Sequence, residues 1–199
     1  MPRPPFIQSR ETERAAVDQL TRDPAKRQLL YGMIDAVLRI RESGTASQAD
    51  LLPILRGFEA GEEAVWSSAG GWLAKLHAFA PELSSVLDHL AHHKNATVRR
   101  NLCASLNRFP PDVALSHLKR FLTDRSRRVR GFALGVSLRA GYRQLIPDFE
   151  AQLERTTDAD EREDIEQAIA LLRGETFTRD GMKIRRLDNG DLDCAPVSE

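Results

Sequence analysis

The chain has 199 residues, 29 Lys and Arg against 29 Asp and Glu, 41 % hydrophobic and 6 % aromatic residues, and a formal net charge of zero. The length fits one domain, or one with a small appendage, and suffices for a core without disulfides or metal, while the apolar fraction excludes a disordered chain. No apolar run is long enough for a membrane helix, and the Met-Pro-Arg-Pro-Pro start has no apolar stretch of the kind found in a secretory signal.

Residues 1–10 hold three prolines and no periodicity and read as an irregular arm. From Glu11 the pattern is helical, with Ala15, Ala16, Val17 and Leu20 on one side. Asp23-Pro24 is a start signal: an N-cap, then a proline where the missing N–H is harmless. The helix it opens runs to about Glu42 on a stripe that includes Leu30, Met33, Ile34, Val37 and Ile40, and ends at Ser43-Gly44-Thr45. Ser47, with Asp50 three residues on, opens the next stripe through Leu51, Ile54, Leu55 and Phe58. There Pro53 predicts a late start or a kink, and Gly61 the end. Residues 62–79 carry Val65, Trp66, Trp72, Leu73, Leu76 and Phe79 around Gly70-Gly71, a pair that predicts a kink, a break or a tight helix contact.

Pro81 opens three helix pairs: Glu82–His92 with Ala96–Arg108, Asp112–Leu122 with Arg125–Arg139, and Arg143–Arg155 with Ala159–Leu172. Pro110-Pro111, Ala140-Gly141 and Gly174 punctuate them. The tail, 174–199, alternates around Asp180-Gly181 and Asn189-Gly190, hairpin signals that predict a two- or three-stranded meander. Such a hairpin is marginal alone and is expected to pack on the last helices, as a cap or as a recognition element.

The pairs repeat. A shift of 31 places Leu87 on Leu118, Leu90 on Phe121, Val98 on Val129 and Arg99 on Arg130, and a shift of 32 places Arg130 on Arg162. Two helices per unit at such a period predict an α-solenoid, in which stacked hairpins bury what none buries alone. The stretches Asn95-Ala96-Thr97-Val98-Arg99-Arg100 and Asp124-Arg125-Ser126-Arg127-Arg128-Val129-Arg130 share a polar turn, then Val-Arg, then small and apolar residues. This resembles the HEAT-repeat family in its short bacterial form. The resemblance implies antiparallel α-hairpins, with Asp and Arg positions forming a ladder between neighbours, positions that Asp124 and Arg130 match. The third pair departs from it, with Glu161-Arg162 in place of Val-Arg. The expected fold is an all-α, right-handed solenoid of about five HEAT-like hairpins over 11–173, with the meander over 174–199. The same short units occur in phycobilin lyases, but no chromophore-attachment feature stands out here.

The zero net charge conceals a strong asymmetry. Residues 94–147 carry 12 positive and 2 negative side chains, and residues 148–173 carry 3 and 9. Arg99, Arg100, Arg125, Arg127, Arg128 and Arg130 fall at the starts of two successive second helices, and Lys119, Arg120, Arg139 and Arg143 extend the field. This predicts a basic edge that docks an acidic protein or peptide, or alternatively the phosphates of a nucleic acid. The competing reading makes Arg99 and Arg130 ladder residues and pairs the rest with the acidic third hairpin. A protein partner predicts an apolar patch beside the arginines; nucleic acid predicts an arginine stripe with few acidic neighbours.

No complete catalytic constellation is present. An alkylated-base glycosylase reading needs a carboxylate beside aromatics, yet Gly70 and Leu76, not acids, lie one turn after Trp66 and Trp72, and both Trp read as core. His89 and His93 share a helix face at metal-ligand spacing, but there is no third ligand and Lys94 is adjacent. Cys103 reads as core and Cys194 as exposed, and two cysteines make no disulfide framework. The expectation is therefore a cytoplasmic, non-enzymatic scaffold, without cofactor, metal or membrane, that binds a macromolecule through the basic edge.

Overall fold

The structure is a computed structural model that describes residues 9–77, 80 and 83–197; the predicted arm over 1–8, Phe79, Pro81 and Glu82 lie outside the described residues. Among the described residues ten α-helices are followed by a small antiparallel sheet, and the chain forms two compact units, Met1–Phe109 and Pro110–Glu199. No helix among the described residues is long and apolar enough to cross a membrane.

The first unit holds α1 (Arg10–Leu20), α2 (Pro24–Ser43), α3 (Gln48–Glu59), α4 (Glu63–His77), α5 (Ser84–Ala91) and α6 (Ala96–Ser105). Asp23 caps α2 by accepting from the N–H groups of Ala25 and Lys26, and Gly44 ends it at φ 71°. Ser47 and Asp50 form a reciprocal capping box that starts α3 at Gln48, so Pro53 sits inside the helix instead of delaying it. The side expected of α1 is only partly realised: Val17 is buried, whereas Ala15, Ala16 and Leu20 are exposed. Charge does the rest, with Arg10 and Arg14 on Asp35 of α2 at 3.0 and 2.7 Å.

α4 runs unbroken through Gly70-Gly71. The pair marks a tight helix contact, because a Cβ on Gly70 would lie 2.1 Å from Ser105 Oγ of α6. Likewise a Cβ on Gly57 would meet Met33 and Ala69. Within the unit α4 packs on α2, α3 and α6, and their buried stripes, including Met33, Val37, Phe58, Leu73, Leu76 and Leu102, form its core. The two Trp correct the expectation of core residues. Both are half-buried and each carries a cation over its ring, Arg100 at 6.0 Å from Trp66 and Lys75 at 4.4 Å from Trp72.

The second unit holds α7 (Pro111–Leu122), α8 (Arg127–Ala140), α9 (Ile146–Leu153), α10 (Ala159–Arg173) and strands β1 (Phe177–Arg179), β2 (Met182–Arg186) and β3 (Leu192–Pro196). α7 packs on α8 and α9 on α10, and the two hairpins stack with α8 against α10 and α7 against α9. Leu118, Phe121, Val129, Ala133, Phe149, Ile165 and Leu172 fill the space between them.

The repeat register is visible in one side-chain contact made three times. Arg99, Arg130 and Arg162 each send Nη1 to the backbone carbonyl six residues earlier, on His93, Asp124 and Thr156, closing the turn before the second helix of each pair. Val98 and Val129 precede two of these arginines and are buried; in the third hairpin the same place is taken by Glu161.

The strands pair in the order β1-β2-β3. Asp180 and Gly181 both have positive φ, 51° and 73°, as a two-residue type I′ turn requires. The sheet is fixed to the helices in three places. Arg179 of β1 reaches Asp164 of α10 at 2.7 Å. Ile184 of β2 is buried. Arg186 donates to the carbonyls of Leu138 and Arg139, placing a cation where the end of α8 has orphan acceptors.

Candidate partner-binding surface

The start of α8 places Arg127, Arg128 and Arg130 in one turn, at the end of the helix where its dipole disfavours cations. The first turn of α10 supplies the compensation. Arg130 grips Glu161 with two parallel hydrogen bonds, Nε to Oε1 at 2.5 Å and Nη2 to Oε2 at 2.6 Å. Gln152 Nε2 and Thr156 Oγ1 add donors to the same carboxylate at 2.9 and 3.2 Å. Glu161 is 6 % exposed, and the Arg130 guanidinium holds its carboxyl below the usual range against the opposing cost of burial. Its lone pairs are spent on structure.

Arg127 pairs with Asp158 at 3.0 Å and Asp160 at 3.6 Å, and Asp158 also caps α10 by accepting from the N–H of Glu161. Lys119 lies 3.9 Å from Asp148. The acidic hairpin thus engages part of the basic strip. What it leaves is a set of exposed cations: Arg128, Arg139 and Arg143 make no ion pair among the described residues. Arg120 and Arg125 are exposed as well.

The ten residues of the predicted edge are divided between the units. Arg99 and Arg100 belong to the first, where Arg99 is 4 % exposed and bound to the carbonyls of His93 and Lys94. Arg100 donates to Asn101 Oδ1 and stacks on Trp66. Arg130 meets the backbone carbonyl of Asp124, and its carboxylate partner is Glu161 of the next hairpin.

Phe132, 38 % exposed, lies one turn after Arg128 on α8. On the same helix an added Cβ at Gly131 or Gly135 would find nothing within 4 Å. A recess of about 390 Å³ runs between α8 and α10, with Arg128, Gly131, Leu134, Gln152 and Ile165 in its wall. Sequence reasoning passed over Gly131, Gly135 and Gln152. The Gly-x-x-x-Gly spacing was readable, but whether those glycines face a neighbour or solvent is set by the packing of α8. Among the described residues no cluster of His, Cys, Asp and Glu could hold a metal. The chain matches no protein-family model, no curated protein and no solved structure.

Proposed function

We propose that this chain is a HEAT-like helical scaffold that binds an acidic protein segment through the arginine strip of its second unit. The observation that carries the reading is the exposed Phe132 between Arg128 and Arg139 on one side of α8. An aromatic anchor flanked by cations suits a protein surface with apolar and acidic residues, since interface cores favour aromatics and Arg. Electrostatics would speed encounter and the rigid helices would supply shape. The nucleic-acid alternative calls for a continuous arginine stripe, and here Asp158, Asp160 and Glu161 interrupt the arginines.

The test is fluorescence anisotropy with a labelled 20-residue Glu/Leu peptide, titrated at several salt concentrations against the full chain and the Arg128→Glu/Arg139→Glu variant. Binding that weakens with salt and is lost in the variant supports the reading. Equal binding by both proteins, or none at low salt, overturns it.

A further inference from the structure

We infer that the acidic partner presents an α-helix, and that this helix docks across the Gly131-x-x-x-Gly135 face of α8 with its carboxylates on Arg128 and Arg139. The inference rests on the acidic-partner reading above.

Arg128, Gly131, Gly135 and Arg139 are spaced by three, four and four residues, so they form one straight stripe along α8. Phe132 borders the stripe on one side and Leu134 and Leu138 on the other. A glycine inside a helix costs about 0.5–1 kcal/mol relative to alanine. At Gly57 and Gly70 that cost has an internal reason, because the absent Cβ would collide with a packed neighbour. At Gly131 and Gly135 no internal neighbour exists. Two bare positions one turn apart let another backbone come close, at the short end of the roughly 8–10 Å range of helix-axis separations.

Independent features of the same face point to a ligand. Gly131 stands in the wall of the 390 Å³ recess, and Gly135 in that of a second recess of about 330 Å³ with Leu138, Arg139 and the exposed Leu192. Gln152 also lines the first recess. It is more than nine-tenths buried, its Nε2 is committed to Glu161, and its Oε1 has no hydrogen-bond donor among the described residues. A buried amide oxygen without a donor is unfavourable by about 1–3 kcal/mol, so a guest that brings one gains there.

Charge selects the occupant. Arg128 and Arg139 are eleven residues apart, about 16 Å along the helix. A second copy of α8 would set arginine against arginine in either direction. A partner helix with carboxylates three turns apart, small residues between them and a hydroxyl or amide donor matches Arg128, Arg139, the two bare glycines and the Gln152 oxygen. This is the helix-in-groove mode of recognition.

The test is selection of 14-residue peptides, constrained as helices by side-chain staples and displayed on phage, against the full chain. Enriched peptides are then titrated by anisotropy against wild type, Gly131→Ala/Gly135→Ala and Arg128→Glu/Arg139→Glu. The expected result is enrichment of helices with carboxylates ten or eleven residues apart. Their affinity should fall at least tenfold in the glycine variant, although that variant melts at a higher temperature than wild type and so cannot owe the loss to unfolding. Loss of binding in the arginine variant with full affinity in the glycine variant overturns the helix-in-groove inference and leaves the acidic-partner reading standing. Enrichment of peptides without carboxylates overturns both.

Discussion

Arg130 and Glu161 lie 31 residues apart, one hairpin from the next, and meet in a two-pronged ion pair at the place where the other two hairpins carry a buried valine. The pair replaces apolar packing between repeats with a directional link. Its partners are all accounted for on the carboxylate side, and the Arg130 side chain keeps 22 % of its exposure.

Removing one member should therefore be costly and removing both should not. Glu161→Gln is expected to destabilise the second unit by about 2–3 kcal/mol, near the lower end for a broken buried pair because Arg130 can still reach water. Arg130→Leu/Glu161→Val, which restores the repeat residue, should recover most of that loss. Urea denaturation of Arg130→Leu, Glu161→Val and the double variant measures the coupling directly.

The same carboxylate sets an acid limit. Its pKa is lowered in the folded state, first by the hydrogen bonds from Arg130. The unfolded chain then binds more protons than the native one in the acid range, so stability is full above the ordinary glutamate value of about 4.3 and is lost as pH falls through the folded value. Thermal melts from pH 7 to pH 3 should show this fall, and Glu161→Gln should flatten it. An unchanged slope in the variant would assign the acid sensitivity to other carboxylates.

The glycines divide into two groups with opposite responses. Gly70→Ala forces a Cβ against Ser105, and Gly57→Ala forces one between Met33 and Ala69, so each should destabilise by about 1–3 kcal/mol through overpacking. Gly131→Ala and Gly135→Ala meet nothing and should each stabilise by about 0.5–1 kcal/mol. Differential scanning calorimetry of the four variants checks both signs.

Helix α1 should be the first element to open. It buries only Val17 and depends on exposed or half-exposed ion pairs, Arg10 and Arg14 with Asp35 and Arg27 with Asp18. Such pairs contribute about 0–1 kcal/mol each and are screened by salt, and a helix of this length is marginal alone. Amide hydrogen exchange in α1 should speed up by about tenfold between 0.05 and 0.5 M salt, while amides around Met33 and Val37 of α2 stay protected.

Features whose cause is local were legible in the sequence. The Asp23 cap, the Ser47 cap with its nearby Asp50 and the Asp180-Gly181 turn depend on residues within three positions of each other, and all three stand in the structure, Asp50 closing a reciprocal box with Ser47. The 31–32-residue period was legible because Val98, Val129 and the three arginines recur in fixed chemistry. Gly70-Gly71 left three readings open because the deciding neighbour, Ser105, is remote in sequence. The charge map gave the basic strip but not its pairing. Which arginines face Asp158, Asp160 and Glu161 depends on how α8 and α10 stack, and only that stacking separates the engaged Arg127 and Arg130 from the exposed Arg128 and Arg139. The apolar stripe read Trp66 and Trp72 as core, but both are half-buried, with cations over their rings.

The central claim is that the arginine strip takes an acidic protein in preference to nucleic acid. The most direct measurement is competition at 0.15 M salt, in which a labelled Glu/Leu peptide bound to the full chain is displaced by unlabelled peptide or by duplex and single-stranded oligonucleotides of equal charge. The account predicts that unlabelled peptide displaces the label at concentrations at least tenfold below either oligonucleotide. Displacement by an oligonucleotide at the lower concentration, lost in Arg128→Glu/Arg139→Glu, would contradict it and make the strip a phosphate-binding surface.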